Sequence, residues 1–174
     1  MEDPGGTSSM HDATVDKAGL LQQAILQVEE TLRRLDSGYA VARQATLDSP
    51  HVMKSKREVT GIEASYLANA LAGNIQEREF WLRTLRGLRL PDAPVRAALG
   101  CVVGLGPPDG PPERLYFILP VCGGMEIPVQ DDARTVRVIT PETPVAKALL
   151  GKSLGDEVRL RSDQDRPDSV RLLV

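Results

Sequence analysis

The stretch "VITPETPVAKALLGKSLGDEVRL", residues 138–160, decides the fold. It sets a Pro-rich turn, a short apolar run and two glycines between two strand-like segments. Within it, Thr143 is placed as an N-cap, Pro144 at the first helical position and Gly151 as the stop of a short helix. Gly155–Asp156 then forms a tight entry to the next strand. Ala148, Leu149 and Leu150 are expected to pin that helix to a sheet.

The surrounding sequence supplies the sheet. "AALGCVVGLG", "ERLYFILPV", "TVRVITP", "DEVRLRS" and "SVRLLV" are rich in Val, Ile, Leu and Tyr and bounded by Gly, Pro or Asp. "PPDGPP" is a chain reversal. The second half, 91–174, therefore reads as a small, strongly bent antiparallel sheet with one short helix.

The first half has another period. Leu21, Val28, Leu35 and Ala42 are seven apart, with Ile25, Leu32, Tyr39 and Thr46 interleaved, which is the seam of a coiled coil. A second helix is expected after "SPHVMKSKRE" and runs to about Leu88, with Leu67, Leu71, Ile75, Leu82 and Leu85 as its stripe. Pro50 is incompatible with a helix interior and marks the turn between them. Two such helices with no other helical neighbour fold back as an antiparallel hairpin. The expected fold class is thus α+β. Residues 1–15 form a disordered lead-in, 16–90 a coiled-coil hairpin with its tip near 48–58, and 91–174 the sheet domain. The linker "GLRLPDAPVR" is expected to carry few contacts between the halves.

Composition narrows the function. The 174 residues are 41% hydrophobic and 26% charged, as in a folded soluble domain, and only 3% aromatic, so the core rests on aliphatic side chains. A net charge of -3 and a pI near 5.5 argue against general nucleic-acid affinity. No apolar run of about 18 residues marks a membrane span, and the N-terminus lacks a signal-peptide h-region. Cys101 and Cys122, far apart and outside any CxxC spacing, read as buried free thiols of a reducing, cytoplasmic compartment.

The opening stretch resembles the C-terminal signature of the bacterial Gre factors (GreA/GreB), in which a Ser-Pro or Thr-Pro pair leads a short helix ending in "LLGK" and then "GDEV". Pro141, Pro144, Ala148, Leu149, Leu150, Gly151, Lys152, Gly155, Asp156, Glu157 and Val158 match that pattern. "GIEASYLANALA", Gly61 to Ala72, also resembles the second hairpin helix of a divergent Gre-like branch. The resemblance implies a helical hairpin followed by an FKBP-like domain. It also implies RNA polymerase as the partner. The C-terminal domain would dock at the rim of the secondary channel through Pro141, Pro144, Gly151, Lys152, Gly155 and Asp156, and the hairpin would reach the active centre. Prolyl isomerase activity is not expected, since Tyr116 and Phe117 are the only aromatics of this half and cannot line a pocket.

In the cleavage factors of this family, two acidic residues at the hairpin tip hold the second Mg²⁺ of the polymerase. Hard oxygen ligands and negative charge are what two-metal phosphodiester cleavage requires. Counting back from "GIEASYL", the family's D-x-x-E-N tip falls on His51, Val52, Met53, Lys54 and Ser55, so the acidic positions carry His51 and Lys54. Lys56 and Arg57 add further positive charge, and a cation repels Mg²⁺. Another register would pair Asp48 with Glu58. The expectation is a polymerase-binding regulator without cleavage stimulation, with an active cleavage factor using Asp48 and Glu58 as the alternative. A coiled-coil module for a different partner is the third reading. No catalytic residue, metal site or cofactor of its own is expected, only indirect contact with the polymerase Mg²⁺. No membrane or sequence-specific nucleic-acid partner is expected either, and the protein is read as a monomer.

Overall fold

The computed structural model describes residues 15–47, 54–129, 134–160 and 167–174, with 45–47 and 54–65 as backbone only. It contains a helical hairpin followed by a sheet domain with one short helix, the expected fold class. Helix α1 spans Lys17–Leu47 and α2 spans Lys54–Arg86. The turn between them, with Pro50, lies outside the described residues. Helix α2 begins before the expected start, because "KSKRE" contains no residue that opposes helix. Asp16 caps α1: its Oδ1 accepts from Gly19 N–H at 3.0 Å and its carbonyl from Leu20 N–H at 2.9 Å.

The heptad seam of α1 is the buried face, with Ile25, Val28 and Ala42 buried and Leu21, Leu32, Leu35 and Tyr39 half-buried. On α2 the inward stripe runs through Ala68, Leu71, Ala72, Ile75, Leu82 and Leu85. Leu67, expected in the stripe, is 53% exposed, because the line drawn by Leu71, Ile75 and Leu82 passes through Ala68 instead. Arg86 reaches across the hairpin base to Glu29 at 2.7 Å.

Among the described residues the sheet has six strands in the order β3-β4-β2-β1-β6-β5: β1 Val102–Gly106, β2 Arg114–Ile118, β3 Glu126–Pro128, β4 Thr135–Ile139, β5 Glu157–Val158 and β6 Asp168–Leu173. It is mixed rather than antiparallel, since β2 and β4 run parallel with Tyr116 opposite Arg137. The cause is β3, too short to read as a strand and ended by Pro128. After β2 the chain turns through Cys122 (φ 66°) and Gly124 (φ 88°). It returns along the outer edge as β3, and β4 comes back between β3 and β2.

Alternation along the strands gives the sheet two buried faces. Leu115, Phe117, Val136, Val138 and Ile127 join Val15, Leu20, Ala24, Val28, Leu82 and Leu85 of the hairpin base in one core. Val103, Leu105, Ile118, Ile139 and Val170 pack on the other side under Ala146 and Leu149 of helix α3, Pro144–Leu149. The expectation of few contacts between the halves is therefore corrected. The sheet has an apolar face that the hairpin base covers, and Val15, assigned to the lead-in, is part of that core. The ammonium of Lys17 bonds the Pro91 carbonyl and Gln27 Nε2 donates to Glu126 O at 3.3 Å, adding polar ties. Among the described residues, no helix is long and apolar enough to cross a membrane.

Candidate docking surface and arm tip

The segment around α3 is held by its own backbone bonding. The Thr143 hydroxyl donates to Thr140 O at 2.8 Å and accepts from Ala146 N–H at 3.3 Å, capping α3, with Pro144 at its first turn. Gly151 ends the helix in the left-handed region at φ 80°. Its N–H donates to Ala97 O at 2.8 Å, and Ala97 N–H donates back to Lys152 O at 2.7 Å. Gly155, at φ 88°, donates to Val170 O at 2.8 Å. Asp156 closes the turn, its Oδ2 accepting from Ser153 N–H at 2.8 Å.

Pro141, Pro144, Gly151, Lys152, Gly155 and Asp156 thus fall on one bonded segment running from the turn before α3 to the start of β5. Pinning of α3 is done by Ala146 and Leu149, both fully buried, with Ala148 partly buried beside them. Leu150, expected to share that role, is 37% exposed, because as the C-cap its backbone has left the helix. Sequence reasoning also missed the neighbouring loop. Val95 and Leu99 lie on the loop bonded to the α3 segment through Ala97, and with Leu150 and Leu154 they make four exposed apolar side chains on two joined loops. The signal present was "APVRAALG", which has apolar residues but no period that would say which are covered.

At the far end of the hairpin, Asp48 and His51 lie outside the described residues. Lys54, Lys56, Arg57 and Glu58 fall on the first turns of α2, where the backbone alone is described. That helix start carries no acidic residue in its first turn. Cations beside the positive end of a helix dipole are unfavourable, so folding gains nothing from this placement. Among the described residues, no cluster of three or more His, Cys, Asp or Glu is arranged to hold a metal ion.

Where the arm meets the sheet, Arg78 stacks over the Trp81 ring at 3.9 Å and pairs with Glu77 at 2.6 Å. Buried Cys122 is near these charges. Burial pushes its thiol up to about 12, with Arg78 opposing the shift and Glu77 adding to it. Such a thiol is protonated and unreactive at neutral pH.

No family model matches the chain, and no curated protein does either. The chain is similar to solved structures of GreA factor homolog 1 (Gfh1). The Thermus thermophilus protein has 20% identity over 86% of this chain and 94% of its own, with a TM-score of 0.34. A second structure, described as the transcription factor Gfh1, has 20% identity over 92% and 94%, with a TM-score of 0.33. Thermus aquaticus Gfh1 has 19% identity over 90% and 93%, also with a TM-score of 0.33.

Proposed function

We propose that this chain is a Gre-like regulator of transcription that binds RNA polymerase through the α3 surface. In this reading it extends its hairpin into the secondary channel and does not stimulate transcript cleavage. The observation that carries the reading is the shared core, which joins a long arm to the domain bearing the "LLGK" and "GDEV" residues. At 1.5 Å per residue, the 31 residues of α1 make an arm about 46 Å long. A body docked at one end then sets the position of the tip at the other, because the base cannot swing without exposing Phe117, Val136 and Val138.

The mechanism follows from charge. Cleavage on the polymerase requires carboxylates to hold the second Mg²⁺ and orient water. An imidazole and an ammonium at His51 and Lys54 supply neither. With Lys56 and Arg57, the tip instead presents cations to the acidic residues and phosphates of the active centre. The protein then acts by occupying the channel, and any chemistry belongs to the polymerase.

The test is RNA release from a backtracked elongation complex. The protein alone is expected to leave cleavage at its basal rate, and to slow the cleavage produced by a genuine Gre factor as its concentration rises. Stimulation by the wild-type chain, lost on Asp48→Asn or Glu58→Gln, would overturn this reading in favour of an active cleavage factor. Failure to retain core polymerase in a pull-down would overturn polymerase binding itself.

A further inference from the structure

The α3-side face of the sheet is covered by α3 over Ile118 and Ile139. Towards the opening ends of β2 and β4, the same face forms a groove of about 370 Å³ lined by Arg114, Tyr116, Arg134, Thr135 and Arg137, with Glu113, Leu115 and Glu126 also on its wall. Strand register brings the donors together: Tyr116 stands opposite Arg137 in the parallel pair, and Arg114 and Thr135 precede each of them by two residues on the same face. The Arg114 guanidinium is held by the Asp168 carboxylate from β6. Burial works against its charge. The hydrogen bond and charge of Asp168 outweigh that, with smaller contributions from nearby Tyr116 and Glu113, so its pKa is raised.

Arg137 is exposed and makes no ion pair with a described residue, and the hydroxyl of the largely buried Tyr116 makes no hydrogen bond to one. The three guanidinium groups of the groove carry only donors, Arg134 donating one of its own to Pro112 O at 3.3 Å, and two hydroxyls can donate as well. Planar guanidinium forks match the oxygens of phosphate better than any other side chain. We propose that this groove is a binding site for a phosphate group, held by Arg137 and Arg114 with Tyr116 and Thr135 completing the donor set. The volume suits a ligand up to the size of a small nucleotide. Glu113 and Glu126 oppose an anion, so they limit affinity and exclude highly charged polyanions. Phosphate binding here does not depend on polymerase binding.

The test is an NMR titration of the full chain, following the arginine Nε–Hε signals at constant ionic strength. Inorganic phosphate is added in one arm and adenosine monophosphate in the other. Saturable shifts at Arg114 and Arg137 are expected, with Arg171, outside the groove, unmoved. Arg137→Gln should weaken binding by about tenfold, and Glu126→Gln should tighten it, since one removes a cation and the other an opposing charge. Nucleotide binding at least about tenfold tighter than phosphate would assign a phosphate monoester, and equal affinity would assign free phosphate. Absence of saturation in both arms up to about 20 mM, well beyond the millimolar range of weak specific binding, would overturn the site. Equal affinity in the Arg137→Gln protein would overturn it too.

Discussion

Ala97 is bonded on both sides to the segment that follows α3, its N–H donating to Lys152 O at 2.7 Å and its carbonyl accepting from the segment's preceding residue, Gly151. The loop after the hairpin and the "LLGK" loop therefore behave as one platform. Gly151 adopts φ 80° with open space where a Cβ would stand, so Gly151→Ala carries a purely conformational cost, about 1–2 kcal/mol. At Gly106 a Cβ would meet the Pro111 carbonyl oxygen at 2.3 Å, so Gly106→Ala should cost more. Urea denaturation of the two variants checks the order.

The hairpin base and the sheet should melt as one unit. Leu85 is fully buried in the core that both halves share, and truncation to Ala there should cost about 2–5 kcal/mol. Hydrogen exchange should show β2 and β4 amides losing protection together with those of α1. Protection of the strands left unchanged by Leu85→Ala would mean that the halves are independent after all.

Much of this was legible in the sequence. Five of the six strands stand where β-branched and aliphatic runs predicted them, and the α1 seam follows its heptad, because one strong period fixes which face is buried. β3 was not legible, since three residues ending in Pro128 carry no period, and missing it made the sheet seem antiparallel. The shared core was not legible either: Leu115 and Phe117 read as apolar, but nothing local says that they share one core with Leu82 and Leu85. Of the candidate site, the α3 residues came from motif spacing. The exposed Val95 and Leu154 required knowing what packs on them.

Stability should fall as pH rises from about 9 to about 12. The unfolded Cys122 thiol titrates near its ordinary 9.0, whereas the native one is held to about 12, chiefly by burial. Below 9 both states bind the proton and the effect is absent. Between the two values only the native thiol keeps it, which favours unfolding by about 1.4 kcal/mol per pH unit. Cys122→Ala should remove that slope in alkaline denaturation curves, and thiol labelling at pH 8 should be slow until denaturant is added.

Val95 is 80% exposed and Leu154 64%, so changing either to Glu should leave folding within about 0.5 kcal/mol. If the platform docks on polymerase, the double variant should lower affinity by at least about tenfold, or ~1.4 kcal/mol. Circular dichroism and a polymerase-binding titration separate the two effects. Unchanged affinity would place the anchor elsewhere on the domain.

The arm's tip offers a test in which stability and function move by different routes. Lys54 opens α2, whose first turn has no acidic residue, so Lys54→Glu should favour the helix by about 0.3–1 kcal/mol through its dipole. A tip selected only for folding would accept that change without consequence. If the cations act on the polymerase active centre, the same change should weaken the protein's ability to slow cleavage by a genuine Gre factor. Adding His51→Asp should then move the chain towards cleavage stimulation, limited by the remaining Lys56 and Arg57. The measurements are helicity on heating and RNA release from a stalled complex. Inhibition that persists when Lys54, Lys56 and Arg57 are all neutralised would assign the effect to occupancy of the channel, with the tip charge incidental.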